Sequence, residues 1–248
     1  MHRIVAAVLA VALLSMAGSA LAVSDYLNPN VSRLWSAGND GDDVPRCTVF
    51  FVRDLVNNSF ERGWAWVLTA GHCASATTIK RNAMTTVLAS ARWHVSYTSG
   101  GHGLRIIDYA VGSAPDEEWI RKADPDRGFW VAREMPDSGS AFVHGFPGGV
   151  ERVTAAQIIP KDVPLKTNVL RGPSRLLVVR KGEVAPGSSG GPVVNNQGRV
   201  IGIVWGLADK PEEFLSADIP PDVALVIVTP IEVVIEAFKN LKMEEKKP

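Results

Sequence analysis

Three side chains in this sequence could act together as nucleophile, base and orienting acid. They are a serine framed by glycines, a histidine at the end of an apolar strand, and an aspartate inside another strand. The serine is Ser189 in Ala185-Pro186-Gly187-Ser188-Ser189-Gly190-Gly191-Pro192. Glycines permit positive φ and close backbone approach, which a nucleophile loop needs if its N–H groups are to face a developing oxyanion. The competing reading of any isolated Gly-Ser-Ser-Gly is a surface turn.

Chain order narrows the chemistry. Gly187 to Gly191 formally matches the G-x-S-x-G nucleophile elbow, which needs a strand-to-helix turn and the order serine, acid, histidine. Here the loop is followed by a second strand with an early proline. The five histidines, His2, His72, His94, His102 and His144, all precede Ser189, so the elbow reading has no base. A base before the nucleophile implies the order His, Asp, Ser.

His72 is the best base, because Trp64 to Ala70 is an apolar strand ending in a small-residue turn that carries it. His94 and His102 have no comparable scaffold. His144 precedes Gly145-Phe146-Pro147-Gly148-Gly149, a turn that could line a substrate pocket. The best acid is Asp108, embedded in Ile106-Ile107-Asp108-Tyr109-Ala110-Val111. A carboxylate in an aliphatic strand is costly unless it is paired or hydrogen-bonded, and a histidine whose tautomer it fixes is one such partner. A salt bridge to Arg105 or an edge position facing water is the alternative. Asp116, Asp124 and Asp126 lie in turn-like segments and are weaker choices.

These residues need a scaffold of strands. Short apolar or alternating runs recur from Val49 to Val228, punctuated by turn residues and without helical periods between them, which indicates a sandwich or barrels rather than βαβ units. Asp124 to Gly128 reads as the joint between two halves. Only the tail has a helical period, with Ile231, Val234, Ile235, Phe238 and Leu241 on one face; packing against the second half is expected.

Composition excludes some classes. Lys plus Arg equals Asp plus Glu at 26 each, so there is no polyanion-binding footprint and nucleic acid is not an expected partner. Met1-His2-Arg3, the apolar run from Ile4 to Met16 and the Ala20-Leu21-Ala22 site read as a cleaved signal peptide, and the protein is expected to be secreted or periplasmic. No later run is long and apolar enough to span a bilayer. Cys47 and Cys73 are the only cysteines: in an exported chain they form a plausible disulfide, with two buried free thiols as the alternative. Too few cysteines and no clustered histidine spacing leave no metal site, and no cofactor is implied.

Thr69-Ala70-Gly71-His72-Cys73, Asp108-Tyr109-Ala110-Val111 and Gly187-Ser188-Ser189-Gly190-Gly191-Pro192 resemble the three active-site motifs of chymotrypsin-like serine proteases. The stretch from Gly187 through Gly206, with Gly145-Phe146-Pro147-Gly148, is similar to the bacterial V8-like (glutamyl endopeptidase) branch. The resemblance implies an all-β fold of two antiparallel six-stranded barrels with the site between them and a C-terminal helix. It also implies a Cys47–Cys73 disulfide bracketing the histidine loop. On this reading the chain divides into a signal peptide (1–22), an irregular leader or short propeptide (23–45), an N-terminal barrel (46–123), a C-terminal barrel (124–230) and a helical tail (231–248).

The implied activity is that of a monomeric serine endopeptidase acting on proteins or peptides, with catalytic His72, Asp108 and Ser189 and an oxyanion hole from the N–H groups of Gly187 and Ser189. A non-catalytic binding protein of the same fold and a serine esterase are the alternatives. Two departures stand out. Ser188 replaces the aspartate that anchors the new N-terminus in trypsin-like zymogens, and Val204 replaces the pocket histidine of glutamate-specific members. Substrate-binding candidates are therefore Glu183, six places before Ser189 and suited to a basic side chain, and the strand Val204-Trp205-Gly206, suited to an apolar one.

Overall fold

The computed structural model describes residues 30–37, 43–53, 55, 64–80, 87–98, 107–115, 128–166, 173–216 and 219–244. The signal peptide, most of the leader, His2, His102, Arg105, Asp116, Asp124 and Asp126 lie outside the described residues. The N-terminal half contains β1 (Val31–Ala37), β2 (Asp43–Val52), β3 (Trp64–Thr69), β4 (Thr78–Lys80), β5 (Val87–Ser90), β6 (Arg92–Thr98) and β7 (Asp108–Pro115). The C-terminal half contains β8 (Gly139–Gly145), β9 (Arg152–Ile158), β10 (Arg175–Arg180), β11 (Pro192–Asn195), β12 (Val200–Ala208) and β13 (Val223–Pro230), followed by α1 (Ile231–Glu244).

The second half closes as a six-stranded barrel in the order β10-β13-β12-β11-β8-β9, with Leu177 opposite Ile158 completing the ring. The first half does not close, which corrects the expectation of two six-stranded barrels. It is a seven-stranded sheet in the order β5-β4-β1-β2-β3-β7-β6. Its two edge strands, β5 and β6, follow one another through the single residue Ala91, whose N–H donates to the Thr77 carbonyl. The outer strands are thus joined by the chain, and no ladder joins them among the described residues. The seventh strand, β1, arises from the stretch read as an irregular leader; it pairs with both β2 and β4.

Period-two alternation explains how both halves are buried. In β3, Ala65 and Val67 point to one core of the first sheet, while Trp66 and Leu68 point to the layer between the halves. In β11, Val193 fills the barrel interior and Val194 faces that same middle layer. α1 adds Ile231, Val234 and Phe238 to it, with the Phe238 ring edge-on to Trp66 at 4.8 Å. The helix therefore seals the joint between the two sheets rather than one barrel alone. The connector Gly128–Ala132 ties them further: Phe129 exchanges backbone hydrogen bonds with Phe51 and Arg53, and Ala132 donates to Val200.

Candidate active site

β3 delivers His72. The strand ends at Thr69, and the chain turns through the short 3-10 segment Gly71–Cys73. Gly71 makes this turn possible: a Cβ there would lie 2.4 Å from the Tyr97 carbonyl oxygen and 2.6 Å from Asp108 Oδ1. Cys73 forms a disulfide with Cys47 of β2, Cα to Cα 6.1 Å, so the segment is stapled to the neighbouring strand. Cys47, His72 and Cys73 are the one cluster of metal-type ligands among the described residues. Its sulfurs are bonded to each other and so are not thiolate ligands.

β7 begins with Asp108, whose side chain is fully buried. Its Oδ2 lies 2.5 Å from His72 Nδ1, while Oδ1 accepts from the His72 backbone N–H at 2.8 Å and from Thr98 Oγ1 at 3.1 Å. Burial pushes this carboxyl's pKa up, but the hydrogen bonds and charge of His72, with the Thr98 hydroxyl, outweigh it and hold the group below the usual carboxylate value. The backbone of Asp108 is fixed to the other half of the molecule by Thr229, which exchanges hydrogen bonds with its N–H and C=O. With Nδ1–H donated to Asp108, His72 carries its free lone pair on Nε2.

The loop bearing Ser189 rests on the end of β3. Gly190 (φ +85°) packs so closely that a Cβ would meet Thr48 O and Thr69 Oγ1 at 2.1 Å. Thr48 N–H donates to the Ser189 carbonyl, and Thr48 Oγ1 donates to that of Gly187. Along the loop the N–H groups of Ala185, Ser188, Gly190 and Gly191 all have acceptors: Ser188 Oγ, Ala185 O, Val204 O and Ser188 O. Those of Gly187 and Ser189 have none among the described residues. The two N–H groups expected to receive an oxyanion are the two that the fold leaves unspent. No hydrogen bond joins the Ser189 hydroxyl to His72 among the described residues; such bonds are often long in unliganded sites and tighten with substrate.

β12 borders the C-terminal end of this loop, where Gly190 donates to Val204 O and Val204 donates to Gly191 O. The Val204 side chain points into the barrel core. Trp205 sits at an irregularity in the β12–β13 register. From Trp205 onward β12 has only β13 as partner among the described residues, leaving one strand edge open beside the loop. Glu183 sits in the turn after β10, a third exposed, with its carboxylate 3.9 Å from Arg180; the carboxylate proposed to read a basic substrate has a cation of its own chain beside it. His94 bonds Ser113 in an exposed position. His144 lies under cover, edge-on to Phe129.

Several contributors carry no motif. Thr48, Thr98 and Thr229 are ordinary strand threonines in sequence. Only the position of Thr48 beside Cys47 hinted at proximity to the site.

The trypsin-like peptidase domain family matches residues 47–203, a span that holds His72, Asp108 and Ser189. No curated protein matches the chain. Solved structures share the fold. The active form of the Rv3671c protease from M. tuberculosis is 20% identical with a TM-score of 0.51, over 84% of this chain and 79% of that one. The thermostable serine protease AL20 from an extremophilic microorganism is 16% identical, TM-score 0.50, over 80% and 90%. The HtrA-type protease AlgW with a decapeptide is 16% identical, TM-score 0.53, over 86% and 65%. Matched from the first cysteine of the disulfide to the strand beyond the serine loop, the chain belongs to the trypsin-like peptidase domain family and is a serine endopeptidase.

Proposed function

We propose that peptide bonds are cleaved here by Ser189, His72 and Asp108 through an acyl-enzyme. Ser189 Oγ attacks the scissile carbonyl, His72 Nε2 takes its proton and returns it to the leaving amine, and buried Asp108 holds the imidazole and stabilises its protonated form. The N–H groups of Gly187 and Ser189 receive the oxyanion. The observation that carries this reading is the coincidence of a His72 Nδ1–Asp108 bond with two unspent N–H groups beside Ser189.

The acyl side of an extended peptide would pair with the open edge of β12 at Trp205 and Gly206, a form of strand addition. The Arg180 contact of Glu183 favours an apolar or small side chain there over a basic one. Within the superfamily, the stretch from Gly187 to Gly206 supports placement beside the V8-like branch, without its glutamate preference because Val204 stands where the reading histidine would be. The disulfide suits an oxidising, extracytoplasmic compartment, and among the described residues no helix is long and apolar enough to cross a membrane.

A fluorophosphonate probe with peptide mapping tests this assignment. The label should map to Ser189, and Ser189→Ala should abolish it and lower peptidase activity by about 10⁴-fold or more. Labelling that survives in the variant removes Ser189 from the role.

A further inference from the structure

Beside the serine loop, at the end away from β12, lies a cavity of about 330 Å³ walled by Arg33, Arg46, Cys47, Phe146, Gly149 and Gly187 among others. Arg33 is its unusual member. It projects from β1, an interior strand of the first sheet whose sequence reads as polar leader, and is only 8% exposed. Its guanidinium carbon stands 4.6 Å from the Trp35 ring centroid and 5.9 Å from that of Phe146. Gly149 (φ +88°) brings the Phe146 turn against it, since a Cβ there would lie 3.1 Å from Arg33 Nη2.

Among the described residues no carboxylate pairs with Arg33 and no acceptor bonds it. A second cation, Lys80 Nζ, lies 4.8 Å from the same Trp35 ring. Arg46, exposed at the cavity mouth, donates through Nε to the Ser36 hydroxyl and has no other side-chain partner among the described residues. Burial lowers the Arg33 pKa from its ordinary value, yet a guanidinium stays protonated at neutral pH. A buried cation beside two aromatic rings, with no counter-charge among the described residues, is costly unless an anion joins it. The planar guanidinium is shaped for a bidentate carboxylate.

The cavity's walls fix what brings that carboxylate. Gly187 contributes one of the two unspent N–H groups, so the cavity opens next to the reacting carbonyl. Cys47 is bonded to Cys73, the residue after His72, which hands its proton to the departing amine. The open edge of β12, where the acyl part would lie, is at the other end of the loop. We propose that Arg33, assisted by Arg46, binds a carboxylate of the substrate on the leaving-group side, one or two residues beyond the scissile bond. This rests on the peptidase reading above. The carboxylate is either an acidic side chain or the free C-terminus of the substrate.

Acyl transfer isolates this side of the site. The enzyme is acylated with p-nitrophenyl acetate, and peptide amines compete with water. The amine nitrogen bonds to the acyl carbon, the Ser189 ester bond breaks, and the amine's proton passes through His72 to Ser189 Oγ. Glutamyl-glycine and glycyl-glutamate amides are compared with their glutaminyl and glutamine counterparts, and glycylglycine with its amide.

The expected result is that a carboxylate raises partitioning by about tenfold or more. Arg33→Gln should erase that gain, Arg33→Lys should restore part of it, and Arg46→Gln should reduce it. Preference for the acidic amides names a side chain as the source; preference confined to glycylglycine names the C-terminus. Equal partitioning of acids and amides in the unaltered enzyme overturns the proposal, as does a preference that survives in Arg33→Gln.

Fluorophosphonate labelling of Ser189 reports separately on fold and chemistry. If Arg33→Gln loses it by misfolding, the unaltered enzyme and the exposed Arg46→Gln variant decide. If the unaltered protein does not label, the peptidase reading fails on its own terms. Calorimetry with glycyl-glutamate and glycyl-glutamine amides then decides the carboxylate site: selective binding upholds it and equal binding removes it.

Discussion

Thr48 holds the backbone on both sides of the nucleophile: its N–H donates to the Ser189 carbonyl at 2.8 Å, and its Oγ1 donates to the Gly187 carbonyl at 2.7 Å. A strand of the first sheet thereby sets the direction of two peptide units in the second half. With the Gly187 and Ser189 carbonyls turned toward Thr48, the N–H groups of the same two peptide units, those of Ser188 and Gly190, bond Ala185 O and Val204 O. The Gly187 and Ser189 N–H groups stay unspent among the described residues. The same hydroxyl accepts from the Phe146 N–H at 3.2 Å, and the Thr48 carbonyl accepts from Thr69 Oγ1.

Thr48→Val keeps the shape and the backbone bond but leaves the Gly187 carbonyl and the Phe146 N–H without this partner. A loss of about 2 kcal/mol in stability is expected, with kcat falling by about tenfold as the oxyanion donors loosen. Thr48→Ser should recover most of both. Denaturant melts and steady-state kinetics on the two variants check this; unchanged kcat in Thr48→Val would show that the loop holds its geometry alone.

Asp108→Asn addresses the other half of the site. An asparagine can still accept the His72 backbone N–H with its oxygen, but its NH2 then donates to Nδ1 and moves the imidazole proton to Nε2. The expected fall in kcat is about 10⁴-fold. Fluorophosphonate labelling of Ser189 should slow with it, while circular dichroism remains unchanged. Retention of near-full activity would remove Asp108 from its orienting role.

What could be read from the sequence was local. His72 could be found because a strand, a small-residue turn and a cysteine are contiguous, and Ser189 because its glycines announce a loop with special backbone angles. The partners that tune these groups act across the chain: Thr229 meets Asp108 over a separation of 121 residues, and no pattern around Thr229 marks it. β1 was hidden because its buried Ser32 and Arg33 make an interior strand look like polar leader. Whether the first sheet closes depends on a hydrogen-bond ladder between its two edges, which the residue alternation within any one strand does not encode. Helical period in the tail was legible; its seat across both halves was not, because periodicity gives a face and not its partner.

The Cys47–Cys73 bond closes a loop of 26 residues that contains His72. By loop-closure entropy it contributes about 3 kcal/mol. The Cys47→Ala/Cys73→Ala double variant should lose about that in urea melts and bind the fluorophosphonate more slowly, because the Gly71–Cys73 segment is released from β2. Non-reducing mass spectrometry of the unaltered protein should recover the linked peptides. Two alkylatable thiols in oxidised material, or an unchanged midpoint in the double variant, would contradict this.

His144 makes stability depend on pH in a window of its own. Burial between the halves lowers its pKa from 6.5 to about 4, and its Nδ1 has no partner among the described residues. Folded protein therefore holds this ring neutral where the unfolded chain would protonate it. Between these two values the unfolded state binds more protons, so stability is full above pH 6.5 and falls as the pH drops toward 4. The expected loss from pH 7 to pH 4.5 is about 2 kcal/mol. Asp108 acts lower: its depressed pKa means its contribution disappears only as the pH falls below the ordinary carboxylate value and through the folded one. The two effects can therefore be separated. His144→Phe keeps an aromatic ring against Phe129 and removes the titrating nitrogens. Urea melts at pH 7 and pH 4.5 should show a smaller acid loss in the variant, by about 2 kcal/mol. Equal acid losses in the two proteins would mean that His144 is protonated within the fold and that its burial does not govern the acid limb.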